Sequence, residues 1–284
     1  MAFIDSHCHV IAPLDLAPMA PQRTYTPEPA DITQWRDTLA PLGVSHGVLV
    51  QPSVYGTDHR VLLAALTQAQ AQAQALAPLT LAGIAAVDAD VGDAELDRLQ
   101  AAGVRGIRLS HFEPGDPRDR GGFVRWPAFE ALEPRLAERG LHLQLFTDSR
   151  LLPGLAPRLQ RSRVPVVIDH MGRAPAALGA RHAGLRTLAA LMRDAPVWVK
   201  LSGIANISDA GPDHADARAV HEALLAAAPE RLLWGSDWPH TRPGVVKPST
   251  AALMDLFIAW TPAALRARIG WDNGRALFGF PTPN

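Results

Sequence analysis

Two histidines one residue apart, His7 and His9, are the first groups in this chain whose spacing suggests chemistry. They lie in Phe3-Ile4-Asp5-Ser6-His7-Cys8-His9-Val10, where an apolar start gives way to polar side chains. That is the pattern of a core strand whose C-terminal end opens into a pocket. Alternate side chains of an extended strand share a face, so both imidazoles should point the same way, about 7 Å apart along the backbone. The pair suits joint capture of a metal ion or of a substrate carbonyl. It equally suits two structural histidines satisfied by neighbouring hydrogen bonds, and the choice rests on what else converges on them.

The apolar-to-polar switch recurs at the ends of later apolar runs. They close with Gln51 and Ser53 just beyond, with Arg108 and Ser110, with Asp169 and His170, with Lys200 and Ser202, and with Asp237. A carboxylate can act as general base, imidazoles can polarise a carbonyl, and a planar guanidinium can clamp a carboxylate through two charge-assisted hydrogen bonds. Repetition of the switch at the same end of successive strands points to one shared pocket. Pleat alternation leaves open whether Asp169 or His170 faces it, and whether Lys200 does more than neutralise a buried carboxylate. His142 opens its run rather than closing it, which predicts a structural role at the opposite end. His46, His59, His111, His182, His214, His221 and His240 also read as structural, with His111 and His240 nearest the pocket rim.

The elements that must carry these residues alternate regularly. Strand-like runs fall at 3–10, 44–51, 80–88, 104–110, 142–147, 164–170, 197–203 and 231–237. Between them lie helix-period segments at 31–42, 59–77, 93–102, 127–139, 152–161, 184–194 and 215–227. Alternating strands and helices in this number predict an α/β fold, a single (β/α)8 TIM barrel spanning 1–284. A doubly wound open sheet is the competing fold, but no Gly-x-Gly-x-x-Gly follows the first strand. Helix-to-strand connections are short and often marked by Gly or Pro, at Gly43, Pro78, Gly103, Gly140, Pro165, Pro196 and Pro229, whereas the segments after the first, fourth, seventh and eighth strands are long. Long loops on the C-terminal face are where barrel enzymes place their chemistry.

Composition narrows the function classes. Hydrophobic residues make up 48% of the 284, charged residues 19%, and the formal net charge is -1, so a large core is available and a nucleic-acid partner is disfavoured. Cys8 is the only cysteine, which excludes a disulfide framework and a thiolate zinc cluster. No run is long and apolar enough to span a bilayer, no membrane partner is expected, and a strand starting about three residues into the chain leaves no room for a signal peptide; the expectation is a cytoplasmic protein. Trp126 and Trp238, near the expected rim, are read as exposed parts of a lid or of a homo-oligomer contact.

The motif set His7-Cys8-His9, Asp169-His170-Met171-Gly172-Arg173 and Trp234-Gly235-Ser236-Asp237-Trp238-Pro239-His240 resembles the amidohydrolase superfamily. It is most similar to the branch of small barrel lactonases typified by 2-pyrone-4,6-dicarboxylate lactonase. Val50-Gln51-Pro52-Ser53, Gly56-Thr57-Asp58, the stretch 103–108 and Asp272-Asn273 extend the similarity over nearly the whole chain, in order. The resemblance implies a hydrolase that opens a carboxylated lactone with Asp237 as base and His7, His9 and His170 polarising the carbonyl. It further implies substrate contacts from Arg108, Arg173, Tyr25, Ser53 and Gln51.

Metal-dependent relatives add a histidine at the end of the fifth strand and a lysine or glutamate on the fourth. Here those strands end Leu145-Phe146-Thr147 and Arg108-Leu109-Ser110. The resemblance thus favours no cofactor; a zinc or manganese ion, if bound, would fall to His7, His9, His170 and Asp237, beside the repulsive charge of Arg108. The pattern departs from that lactonase at Leu145, where it has tyrosine, and at Asn206, where it has arginine. Arg118, Arg120 and Arg125 are candidates for its further arginine. Fewer fixed cations shift the expected substrate toward a less charged acid or a sugar-acid lactone. A metal-dependent amidohydrolase or decarboxylase, a lactone isomerase and a non-catalytic carboxylate-binding barrel are the alternatives.

Overall fold

The computed structural model describes residues 2–73, 80–116, 124–242, 244 and 246–281. Arg118, Arg120, the side chain of Arg125 and the end of the helix expected over 59–77 lie outside the described residues. Parallel strands follow one another around a barrel: β1 (Phe3–Cys8), β2 (Val44–Val50), β3 (Thr80–Ala86), β4 (Val104–His111), a two-residue β5 (Val124–Arg125), β6 (His142–Thr147), β7 (Val166–Ile168), β8 (Val197–Leu201) and β9 (Leu232–Trp234). The spatial order is β1-β2-β3-β4-β6-β7-β8-β9, with β5 pairing outside this path on β4. The expected eight strands are therefore present, and the short β5 is an addition. Between β9 and β1 the ring closes through a Cys8–Trp238 bridge, with Asp237 N donating to His7 O at 2.8 Å and His9 N to Trp238 O at 2.9 Å. Both partners in that seam carry pocket residues.

Helices α1 (Ile32–Leu39), α2 (Arg60–Ala73), α3 (Asp93–Ala101), α4 (Trp126–Glu138), α5 (Leu152–Leu159), α6 (Ala183–Asp194) and α7 (Arg218–Ala227) cover the barrel. Beyond the helices read from sequence, α8 (Thr250–Trp260), α9 (Ala263–Ala267) and α10 (Asn273–Phe278) complete the C-terminal part. Helix α1 shows how local chemistry fixes position. Asp31 and Gln34 form a capping box at its start, and Trp35 on its buried face donates its indole N–H to Asp5 Oδ2 at 2.9 Å. The helix is thereby tied directly to β1.

Two apolar layers result. The larger lies between barrel and helices and includes Leu49, Leu96, Ile107, Leu143, Leu188 and Val199. The smaller fills the inside of the barrel near its N-terminal end, where Ile4, Val48, Ile84, Val167, Leu233 and Phe278 pack together. Pleat alternation puts Gln144 and Arg108, paired in register, and then Phe146 and Ser110 on the same inward face, one step and two steps above His142 and Gly106. The barrel interior therefore runs from an apolar plug to a polar top.

Candidate active site

Above the plug lies a fully buried charged layer. Asp169 sits 3.1 Å from Arg108 and 3.5 Å from Lys200, and Gln144 joins them by donating to Asp169 Oδ2 at 3.1 Å and accepting from Lys200 Nζ at 2.7 Å. Burial alone would raise the Asp169 pKa, but His7, Lys200 and Arg108 hold it well below the usual carboxylate range. Lys200 is lowered to about 8, burial outweighing the pull of Asp169. One carboxylate shared by two buried cations compensates Asp169 and leaves the layer with one positive charge in excess, on the side where Asp237 lies.

The imidazoles stand on this layer. His7, His9 and His170 direct Nε2 toward Asp237 Oδ1, at 3.7, 3.8 and 3.8 Å. Asp237 is the most exposed of the four side chains, at 15%, as befits the group facing the pocket mouth. Burial, reinforced by the charges of Asp169 and Asp5, raises its pKa to about 7 despite Arg108 and Arg173. His9 is lowered to about 4 and His170 to about 3, chiefly by burial, and His7 lies well below its ordinary value because of burial and Lys200. Near neutral pH the site thus holds neutral imidazoles around a carboxylate poised to gain or lose a proton.

Backbone geometry aims these groups. After β7 the chain leaves the strand, and His170, Met171, Gly172 and Arg173 all take positive φ, from 47° to 64°. Non-glycine residues in that region cost roughly 1–2 kcal/mol each, so the turn is held by its surroundings. It resolves the choice left open by pleat alternation: Asp169 points into the charged layer and His170, turned by the loop, points at Asp237. Asp237 itself has φ 62°. Gly203 at φ 56° gives His170 its space, since a Cβ there would lie 2.4 Å from His170 Nδ1. Asp5 anchors the other side, accepting from Ser236 N, Ser236 Oγ and Trp35 Nε1, which fixes the β9 loop against β1.

The remaining expected residues divide. Arg108 and Arg173 flank the Phe146 ring, their guanidinium carbons 4.6 and 5.5 Å from its centroid, and Arg173 donates to Asn206 Oδ1. Gln51 donates its amide nitrogen to the carbonyls of Gly56 and Asp58, holding the loop after β2, while its amide oxygen has no hydrogen-bond partner among the described residues. Tyr25 and Ser53 are half-buried, and neither hydrogen-bonds a member of the imidazole cluster. Trp238, expected to be exposed, is 8% exposed and part of the core, and Trp126 is half-buried and stacked on Phe129. Gln144 and Asp5 were not singled out from sequence. A lone glutamine inside His142–Thr147, on the inward face with His142, was the available signal for the first.

For a metal, the test is the donor set. Ligand atoms of His7, His170 and Asp237 lie within 4.8 Å of one another, and imidazole nitrogens with a carboxylate suit zinc by type. By spacing and chemistry these residues can hold a divalent ion. Lys200, 3.3 Å from His7 Nδ1, and Arg108 oppose one by charge.

Fold and cluster together define a barrel hydrolase-type site, and comparison places the chain in a family. The Amidohydrolase family model matches residues 4–280, so the chain belongs to that family. It is 32% identical over 278 residues to 4-sulfomuconolactone hydrolase of Rhizobium radiobacter, covering 97% of this chain and 89% of that protein. To 2-pyrone-4,6-dicarboxylate hydrolase of Comamonas testosteroni it is 29% identical, with 97% and 89% covered. A crystal structure from Pseudomonas putida, assigned as a 2-pyrone-4,6-dicarboxylic acid hydrolase, superposes with a TM-score of 0.81 at 36% identity over 99% of both chains. The family membership expected from the motifs and the barrel expected from the alternation of strands and helices are both found. Among the described residues, no helix is long and apolar enough to cross a membrane.

Proposed function

We propose that this enzyme hydrolyses the ring ester of a carboxylated lactone. The observation that carries the reading is Asp237, a carboxylate with a pKa near 7 facing three imidazole Nε2 atoms at 3.7–3.8 Å. Asp237 takes a proton from water as the water oxygen bonds to the lactone carbonyl carbon. His7 and His170 stabilise the charge gathering on the carbonyl oxygen, while His9 faces the water. The ring C–O bond then breaks, and the leaving oxygen takes the proton back from Asp237, giving an open-chain hydroxy acid or its keto form. Arg108 and Arg173, beside the apolar face of Phe146, hold the substrate carboxylate. A zinc or manganese ion, when bound, would be held by His7, His170 and Asp237 and would supply Lewis-acid polarisation.

Substrate range follows from the cations. Arg173 is engaged by neutral Asn206, so the described pocket offers two clamping arginines rather than a ring of them. A lactone with one acid group, including a sugar-acid lactone, fits that charge better than a densely anionic one. The family resemblance and the named relatives, a sulfomuconolactone hydrolase and a pyrone-dicarboxylate hydrolase, support hydrolysis of an acidic lactone, and the preference for fewer acid groups rests on the arginines alone. The test is a panel of carboxylated lactones offered to protein of measured metal content, beside Asp237→Asn. General-base loss predicts a fall of about 10²–10⁴-fold in kcat. A variant as fast as wild type would remove Asp237 from the role of base.

A further inference from the structure

The protons on His7 and His9 are determined by their neighbours. His9 Nδ1 lies 2.7 Å from Val50 O. A carbonyl oxygen can only accept, so neutral His9 carries its hydrogen on Nδ1 and presents a lone pair at Nε2. That nitrogen is 3.3 Å from His7 Nε2. Two bare nitrogens at this distance would repel, so His7 must supply the hydrogen from Nε2, which leaves its Nδ1 bare. Facing that Nδ1 at 3.3 Å is Lys200 Nζ, an ammonium with donors only. The hydrogen bonds then run one way, from Lys200 to His7, to His9, to Val50 O, and each end is a group with a single possible role.

The competing arrangement puts the His7 hydrogen on Nδ1, toward Asp169 Oδ1 at 3.2 Å. Two arguments stand against it. Lys200 Nζ, 3.5 Å from Asp169 Oδ1, already offers that oxygen a charged donor. An Nδ1–H would also meet the ammonium head-on, and bare nitrogens would be left facing each other across the histidine pair. Lys200 is locked in place on its other side, donating to Gln144 Oε1, whose amide nitrogen donates to Asp169. Lys200, Gln144, Asp169 and His7 are all completely buried, so no bulk water replaces a missing partner.

We propose that Lys200 is a positioning residue that holds His7 as the Nε2–H tautomer, so that His7 meets the lactone carbonyl as a hydrogen-bond donor while His9 meets the pocket as an acceptor. The second half rests on the proposed lactone hydrolysis; the tautomer rests on the geometry alone. The two histidines thereby take different parts. His7 passes its hydrogen bond from His9 to the carbonyl oxygen, and the freed Nε2 of His9 accepts from the attacking water or a substrate hydroxyl.

The test is long-range proton–nitrogen NMR of the imidazoles in chelator-treated protein labelled with 15N-histidine, with peaks assigned through His7→Asn and His9→Asn. The expected wild-type spectrum shows His7 as Nε2–H and His9 as Nδ1–H. In Lys200→Met, His7 shifts to Nδ1–H, and kcat on any lactone turned over by wild type falls about a hundredfold, in the range of a lost oxyanion donor, with KM little changed. An Nδ1–H His7 in wild type, or an unchanged His7 tautomer in Lys200→Met, overturns the proposal. The wild-type spectrum decides the tautomer even where the variant fails to fold. Absence of lactone turnover in wild type would count against the functional reading and leave the tautomer result standing.

Discussion

His142 and His170 are buried imidazoles in one barrel, both lowered to about 3 chiefly by burial, yet they occupy opposite chemical settings. His142 lies at the N-terminal end, its ring 5.5 Å from Phe278, with Nε2 lacking a hydrogen-bond partner among the described residues. His170 lies at the C-terminal end, oriented by Ser202 through Nδ1 and directed at Asp237 through Nε2. A depressed pKa therefore marks burial in both places and function in neither by itself. What separates them is a carboxylate within reach and a pocket above it. The plug gives the barrel stability, and the charged layer of Asp169, Lys200, Arg108 and Gln144 isolates it from the reacting groups.

The largest contrast should come from exchanging these histidines for inert residues. His170→Asn should lower kcat by about 10²–10³-fold, the scale of removing one carbonyl-polarising donor, whereas His142→Leu should leave kcat/KM within about threefold of wild type. Steady-state kinetics on the same lactone checks both, and equal losses would erase the distinction between the two ends.

The pH response comes next. The working base is ionised Asp237, so kcat/KM of metal-free enzyme should fall as pH drops through about 7. Stability should respond in the opposite sense. The folded pKa is raised above the unfolded value, so the contribution of Asp237 is fully present below about 4 and is lost as pH rises through about 7. Asp237→Asn should accordingly melt at a higher temperature than wild type above pH 7. Thermal melts at pH 5 and pH 8 check the sign.

The smallest effect on activity is expected at the plug. A Cβ on Gly106 would lie 2.5 Å from the His142 ring, so Gly106→Ala should cost about 1–3 kcal/mol of stability by overpacking while changing kcat little. Denaturant unfolding measures the first quantity and kinetics the second.

Much of this contrast is legible in the sequence because strands and pleats are periodic. The apolar runs locate β1 to β4 and β6 to β9, and the polar residues at their ends include His7, His9, Arg108, Asp169 and Asp237. His142, at the start of its strand, reads correctly as belonging to the other end. The two-residue β5 has too little length to produce a period. The four positive-φ residues from His170 to Arg173 break alternation where the site is built, so the partition between Asp169 and His170 required coordinates. Gln51 ends its strand like a pocket residue, and its amide nitrogen also donates to the Gly56 and Asp58 carbonyls, a loop contact no spacing encodes.

The most direct test of the central claim is turnover of a carboxylated lactone in 18O-enriched water, with the product followed by mass spectrometry. Attack of an Asp237-activated water on the carbonyl predicts one heavy oxygen in the newly formed carboxylate. Conversion of the lactone to an unlabelled product would show that the barrel rearranges its substrate without consuming water and would contradict the hydrolytic account.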